Sequence, residues 1–170
     1  MNNEETLKLG GKFFITVYDK RGGKVISRSE AKNIVPKEGI DYMLNAGFAD
    51  GTRFAAQYLA LYITAAATTD STYAVPVYTE FTDYEEASRP TWTKTLTTQK
   101  FSNSASKGSF EMSAAVDATL RGAALVSFAT KGDTAQSGAK LFAAGDFAVA
   151  QPVIAGNVVE LTYEYQGSSS

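Results

Sequence analysis

Four carboxylates, Glu80, Asp83, Glu85 and Glu86, crowd into one short stretch of this chain. Paired carboxylates can serve as acid and base on a glycosidic bond, or hold a calcium ion. A calcium loop sets its oxygen ligands in a tight Asp/Asn/Gly pattern, and this stretch lacks one. The plainer expectation is a solvated acidic loop with tyrosines packed beneath it. Aromatic residues interleave with the acids: Tyr73, Tyr78, Phe81 and Tyr84 precede Arg89, Pro90 and Trp92. Aromatic faces on a β-sandwich suit stacking on sugars, or they line a subunit contact. Tyr78, Phe81, Tyr84, Arg89 and Trp92 are therefore the candidate ligand or subunit-contact surface. Trp92 also fits as the large core residue of its own strand. Asp19, Arg21 and the glycines at 22 and 23 have the makings of a small anion nest, but read more simply as a hairpin turn. Lys131-Gly132-Asp133 reads as a polar loop.

The residues that are missing say more. The chain has no histidine and no cysteine. Histidine is the commonest acid–base group near neutral pH and the commonest metal ligand. Ser-His-Asp hydrolysis, Cys-His chemistry, thiolate metal sites and disulfides fall away together. Most enzyme classes go with them; an enzyme that uses carboxylates alone, such as a glycosidase, stays open. The expectation is a protein that is not an enzyme, with no catalytic, cofactor-binding or metal-ligating residues. Net charge is −2, from 16 basic and 18 acidic residues, so no dedicated nucleic-acid surface is expected. No apolar run approaches the roughly 20 residues that span a membrane. Met1 to Leu9 is polar and acidic, without the apolar centre of a signal peptide.

Those side chains must be positioned by strands. At 170 residues the chain suits one domain. Lys12 to Asp19 alternates with period two, Gly22-Gly23 turns the chain, and Lys24 to Ser29 returns as the second arm of a hairpin. Residues 37–46 carry Ile40, Met43 and Leu44 at helical spacing, after Pro36 and with Gly47 placed as a cap. Gln57 to Thr64 is apolar on both faces and reads as a central strand. The stretch from Pro76 to Arg89 reads as a loop with a short strand or helical turn. Strands are then expected at Thr91 to Gln99, Ser109 to Ala114, Ala118 to Thr130, Lys140 to Ala144, Phe147 to Val153 and Val158 to Tyr165. In the long one, Leu120, Gly122, Ala124, Val126 and Phe128 share a face. In the last, Val159, Leu161, Tyr163 and Tyr165 point inward. Ser102 to Gly108 has turn composition. The fold class expected is all-β: an antiparallel β-sandwich or jelly roll with an N-terminal hairpin and one short helix. Residues 1–9 are expected as a flexible arm, 10–166 as the single domain and 167–170 as a flexible tail.

An ordered set of phrases resembles a widespread family of small structural proteins of tailed bacteriophage virions, described as head-decoration or head- and tail-fibre-like components. It comprises Asn33-Ile34-Val35, Gly39 to Leu44, Tyr58 to Tyr62, Tyr84 to Trp92, Ser102 to Ala105 with Phe110, Arg121 to Leu125, Thr130 to Gly132, Leu141-Phe142, and Gly156 to Tyr163. The likeness covers about residues 34–165 and brings no catalytic residues. It implies a capsid decoration, or cement, protein that stabilises the head, with the major capsid protein as partner. Such a chain would assemble in the bacterial host cytoplasm, reside in the virion, and form a homo-oligomer, trimer or dimer. The alternative it implies is a tail or fibre component that binds host surface glycans through the aromatic stretch from Tyr78 to Trp92.

Overall fold

A computed structural model describes residues 7–49, 51–64 and 66–169. The elements in chain order are β1 (Leu7–Asp19), β2 (Val25–Lys32), α1 (Lys37–Phe48), β3 (Tyr58–Tyr62), β4 (Glu80–Phe81), β5 (Thr95–Thr97), β6 (Lys100–Ser102), β7 (Gly108–Glu111), β8 (Asp117–Val126), β9 (Leu141–Ile154) and β10 (Asn157–Ser169). They form two antiparallel sheets, so the fold is the all-β sandwich expected. One sheet runs β2-β1-β10-β6-β5 with β7 also on β10, and the other runs β4-β3-β8-β9. The spine of the first sheet is the long β1–β10 pair, in register from Leu7 opposite Ser169 to Asp19 opposite Asn157. That pairing extends past both expected domain limits, at residues 10 and 166. Residues 1–6 of the expected arm and residue 170 of the tail lie outside the described residues.

The core follows from period-two alternation. Phe13, Ile15 and Val17 of β1, with Val159, Leu161 and Tyr163 of β10, are buried against Leu59 and Leu61 of β3 and Leu120, Ala123 and Leu125 of β8. Each such large side chain contributes about 1.5–3 kcal/mol by leaving water. Phe13 faces Tyr163 across the ladder, and their rings stack at 4.3 Å. A second apolar cluster lies on the far side of β3 and β8, where Ala60, Tyr62, Ala124 and Val126 pack against Tyr73 and Tyr78. Gly23 and Gly156 close their turns at φ of +62° and +82°, conformations that favour glycine.

Several expectations are corrected. The face expected to run from Leu120 to Phe128 is split, because register shifts between Leu120 and Gly122. The irregularity reverses the alternation, so Leu120, Ala123 and Leu125 join the inter-sheet core while Ala124 and Val126 join the second cluster. The two strands expected between Lys140 and Val153 are one, β9. Gly47 lies inside α1, which ends at Phe48 with Ala49 as its cap. Between Thr91 and Gln99 only β5 is a strand, preceded by a bridge from Thr91 to Tyr58.

The turn at 102–108 also has a structural duty. β10 pairs with β6 at one end and β7 at the other, leaving a gap near residue 162. The wholly buried Asn103 fills it: its Oδ1 accepts from the Tyr163 amide at 2.7 Å and its Nδ2 donates to the Leu161 carbonyl at 3.2 Å. A side-chain amide there continues the ladder that the backbone leaves off. On the other side of the sandwich β2 and β9 meet through serines. Ser27 Oγ donates to Gln151 Oε1 at 2.6 Å, and Ser29 Oγ accepts from the Val149 amide at 3.0 Å.

Candidate functional site

The five residues expected as a contact or ligand surface all fold inward. Tyr78, Phe81, Tyr84, Arg89 and Trp92 are between 2% and 8% exposed. Tyr78 stacks on Tyr62 at 4.5 Å, and Tyr84 meets the edge of Phe110 at 5.1 Å. Trp92 packs beside Tyr163 and donates its indole N–H to the Tyr163 carbonyl at 3.1 Å. They therefore form no open aromatic platform for a sugar; apolar area and polar satisfaction inside the chain claim them instead.

Arg89 is the centre of a closed polar node. A guanidinium has five N–H donors. Nε and Nη2 grip Glu80 at 2.7 and 2.6 Å, Nη1 donates to Tyr73 Oη and the Phe128 carbonyl, and Nη2 also reaches the Asp133 carbonyl. Burial works against the charge, but the paired Glu80 carboxylate outweighs it and holds the guanidinium protonated. Gly132 donates its amide to Glu80 Oε2 at 2.9 Å from a left-handed φ of +74°. Lys131-Gly132-Asp133 is thus part of the node rather than a plain polar loop. The node staples the segment around Glu80 to the loop after β8. With all five of its donors spent on the chain itself, the guanidinium has none left for a ligand.

The other acids are dispersed. Both Glu86 oxygens accept from the Glu111 amide at 3.1 Å, while Asp83 and Glu85 are exposed. Among the described residues no three Asp or Glu side chains converge to hold a metal ion, and no helix is long and apolar enough to cross a membrane. Asp19 Oδ1 accepts from the Arg21 amide at 2.9 Å, so the expected turn satisfies its own donor.

The surface that sequence reasoning missed lies on α1. Ile40, Leu44 and Phe48, spaced i, i+4 and i+8, are 39%, 52% and 88% exposed. The helical spacing read from the sequence was that of Ile40, Met43 and Leu44, which fits a core face equally well and stops short of Phe48. Three neighbours decide the helix's rotation. Glu38 accepts from the amides of Tyr73 and Leu141, each at 2.8 Å. Gly39 lies so close to β9 that a Cβ would sit 2.7 Å from the Phe142 carbonyl oxygen. Tyr42 packs its ring on Phe54 and Phe142 and accepts from the Phe54 amide at 2.8 Å. With residues 38, 39 and 42 turned inward, the 40-44-48 stripe must face out.

Under the inward side of α1 the sandwich end is open. A cavity of about 150 Å³ is walled by Tyr42, Met43, Trp92, Phe101 and Tyr163, with Lys94 at its lining. Lys94 Nζ donates to Gln57 Oε1 at 2.5 Å and stands 5.0 Å from the Trp92 ring centre. Burial lowers its pKa below the ordinary lysine value. No family model matches this chain, and neither the curated proteins nor the solved structures yield a match.

Proposed function

We propose that this chain is a structural protein of a tailed-phage virion: a decoration protein seated on the major capsid protein, acting by assembly and without catalysis. The observation that carries the reading is the exposed apolar stripe Ile40-Leu44-Phe48 on a helix held to the sandwich by Glu38, Gly39 and Tyr42. Exposed apolar patches on a closed domain mark contacts with other macromolecules. The ordered phrases that resemble those of small virion proteins supply the kind of partner proposed. The absence of histidine and cysteine, and an acidic stretch whose one buried carboxylate is consumed by Arg89, support an assembling rather than a reacting protein. A rigid sandwich without disulfides also suits assembly in a reducing cytoplasm.

Quantitative protein analysis of purified heads tests the reading. Copies in fixed ratio to the major capsid protein are expected. Recovery of the chain only with isolated tails, or only in the particle-free lysate, would contradict it.

A further inference from the structure

Two features of α1 match each other. Phe48 is the most exposed large apolar side chain among the described residues, at 88%. The cavity beneath the same helix is about 150 Å³, the size of an apolar cavity that accepts a benzene ring. Its walls are aromatic, which suits edge-to-face packing around an inserted ring. The flanking charges are also complementary. Asp41 is exposed and lies on the face of Leu44 and Phe48, three and seven residues before them. Neither Asp41 nor Lys94 has an ion-pair partner among the described residues. Lys94 stands at the edge of the cavity with Nζ 5.0 Å from the Trp92 ring centre, where it would meet a carboxylate from outside.

We infer that a second copy of this chain seats its Phe48 ring in the aromatic cavity and turns its Asp41 toward Lys94. Each copy carries both the ring and the cavity, so two copies related by a two-fold axis make the contact reciprocally, and that is the closed arrangement inferred. The inference rests on the reading of the chain as an assembling protein and names one of its contacts. It leaves the rest of the surface free for a capsid partner.

Sedimentation equilibrium of the full chain tests it, with the emission of Trp92, the sole tryptophan, as a reporter inside the cavity. Association with a concentration-dependent change in Trp92 emission is expected. Phe48→Ser, a change at an exposed position, should weaken association at least about 30-fold, the scale of a buried aromatic hot spot. Asp41→Lys and Lys94→Glu should each weaken it several-fold, and the double variant should recover most of the loss. A monomer at every concentration, or an oligomer indifferent to Phe48→Ser, overturns the inference. So does a monomer whose Trp92 emission responds to benzoate, since the cavity would then belong to a small aromatic carboxylate. A chain that is monomeric alone yet stoichiometric on heads defeats this inference and spares the proposed function. A Phe48-dependent oligomer absent from heads does the reverse.

Discussion

Around Arg89 a permanent cation is 3% exposed, gripped by Glu80 and ringed by carbonyl oxygens and a tyrosine hydroxyl, whereas at the end of α1 a phenylalanine ring is 88% exposed. The polar residue is inside because the fold satisfies every donor it brings; an unpaired buried charge would cost several kcal/mol. The apolar residue is outside because Glu38, Gly39 and Tyr42 fix the rotation of its helix. Residue type alone would have reversed these assignments. The contrast separates a region saturated by the chain itself from one with unspent apolar surface, and assembly belongs to the second.

The largest expected effect lies in the first region. Arg89→Ala leaves Glu80 buried without its partner, so urea denaturation should show a loss of about 3–5 kcal/mol. Replacing both groups, as Arg89→Met with Glu80→Leu, should recover much of that loss, because no orphan charge remains. A mild effect for Arg89→Ala would mean that the node is open to water and could still take a ligand.

Next comes the seat of α1. Gly39→Ala places a methyl group against the Phe142 carbonyl and should cost about 1–3 kcal/mol by displacing the helix. It should also reduce self-association, whereas Leu44→Ser should stay within about 0.5 kcal/mol of the parent in stability. Equal destabilisation by both would show that the stripe is packed within the chain.

Tyr84 provides a smaller test, beside the saturated region rather than within it. Its hydroxyl is the one buried side-chain polar atom without a partner among the described residues. Tyr84→Phe should leave stability unchanged or raise it by up to about 1 kcal/mol. Tyr62→Phe should lower it, because that hydroxyl donates to Asp146 at 2.7 Å.

The smallest effect concerns acid. Burial alone would raise the Glu160 carboxyl, but hydrogen bonds from Lys107 at 2.7 Å and Tyr18 at 3.0 Å win and hold it below its ordinary value. A carboxyl depressed in the folded state stabilises above its unfolded value, and that contribution is lost as pH falls through the folded one. Unfolding followed below the ordinary carboxylate range should therefore show a slightly shallower decline in Glu160→Gln than in the parent.

The strands with one buried face were legible in the sequence. β1 and β10 alternate cleanly, and Gly23 and Gly156 mark their turns. β8 was legible as a strand but not in phase, because residues 122–126 are apolar on both faces and hide the irregularity at Arg121. The node was invisible for a different reason. Glu80 reads as one acid among four until the fold places Arg89, Gly132 and the Asp133 carbonyl around it. α1 was legible as a helix, but its rotation is set by residues 141 and 142, about a hundred positions away. The outward stripe could not be told from a core face without them.

The most direct test of assembly through α1 is cryo-EM density of the intact particle at side-chain detail. The account predicts that Ile40, Leu44 and Phe48 lie buried against a neighbouring subunit in every copy. A particle in which that stripe faces solvent, while other parts of the chain make the contacts, would contradict it.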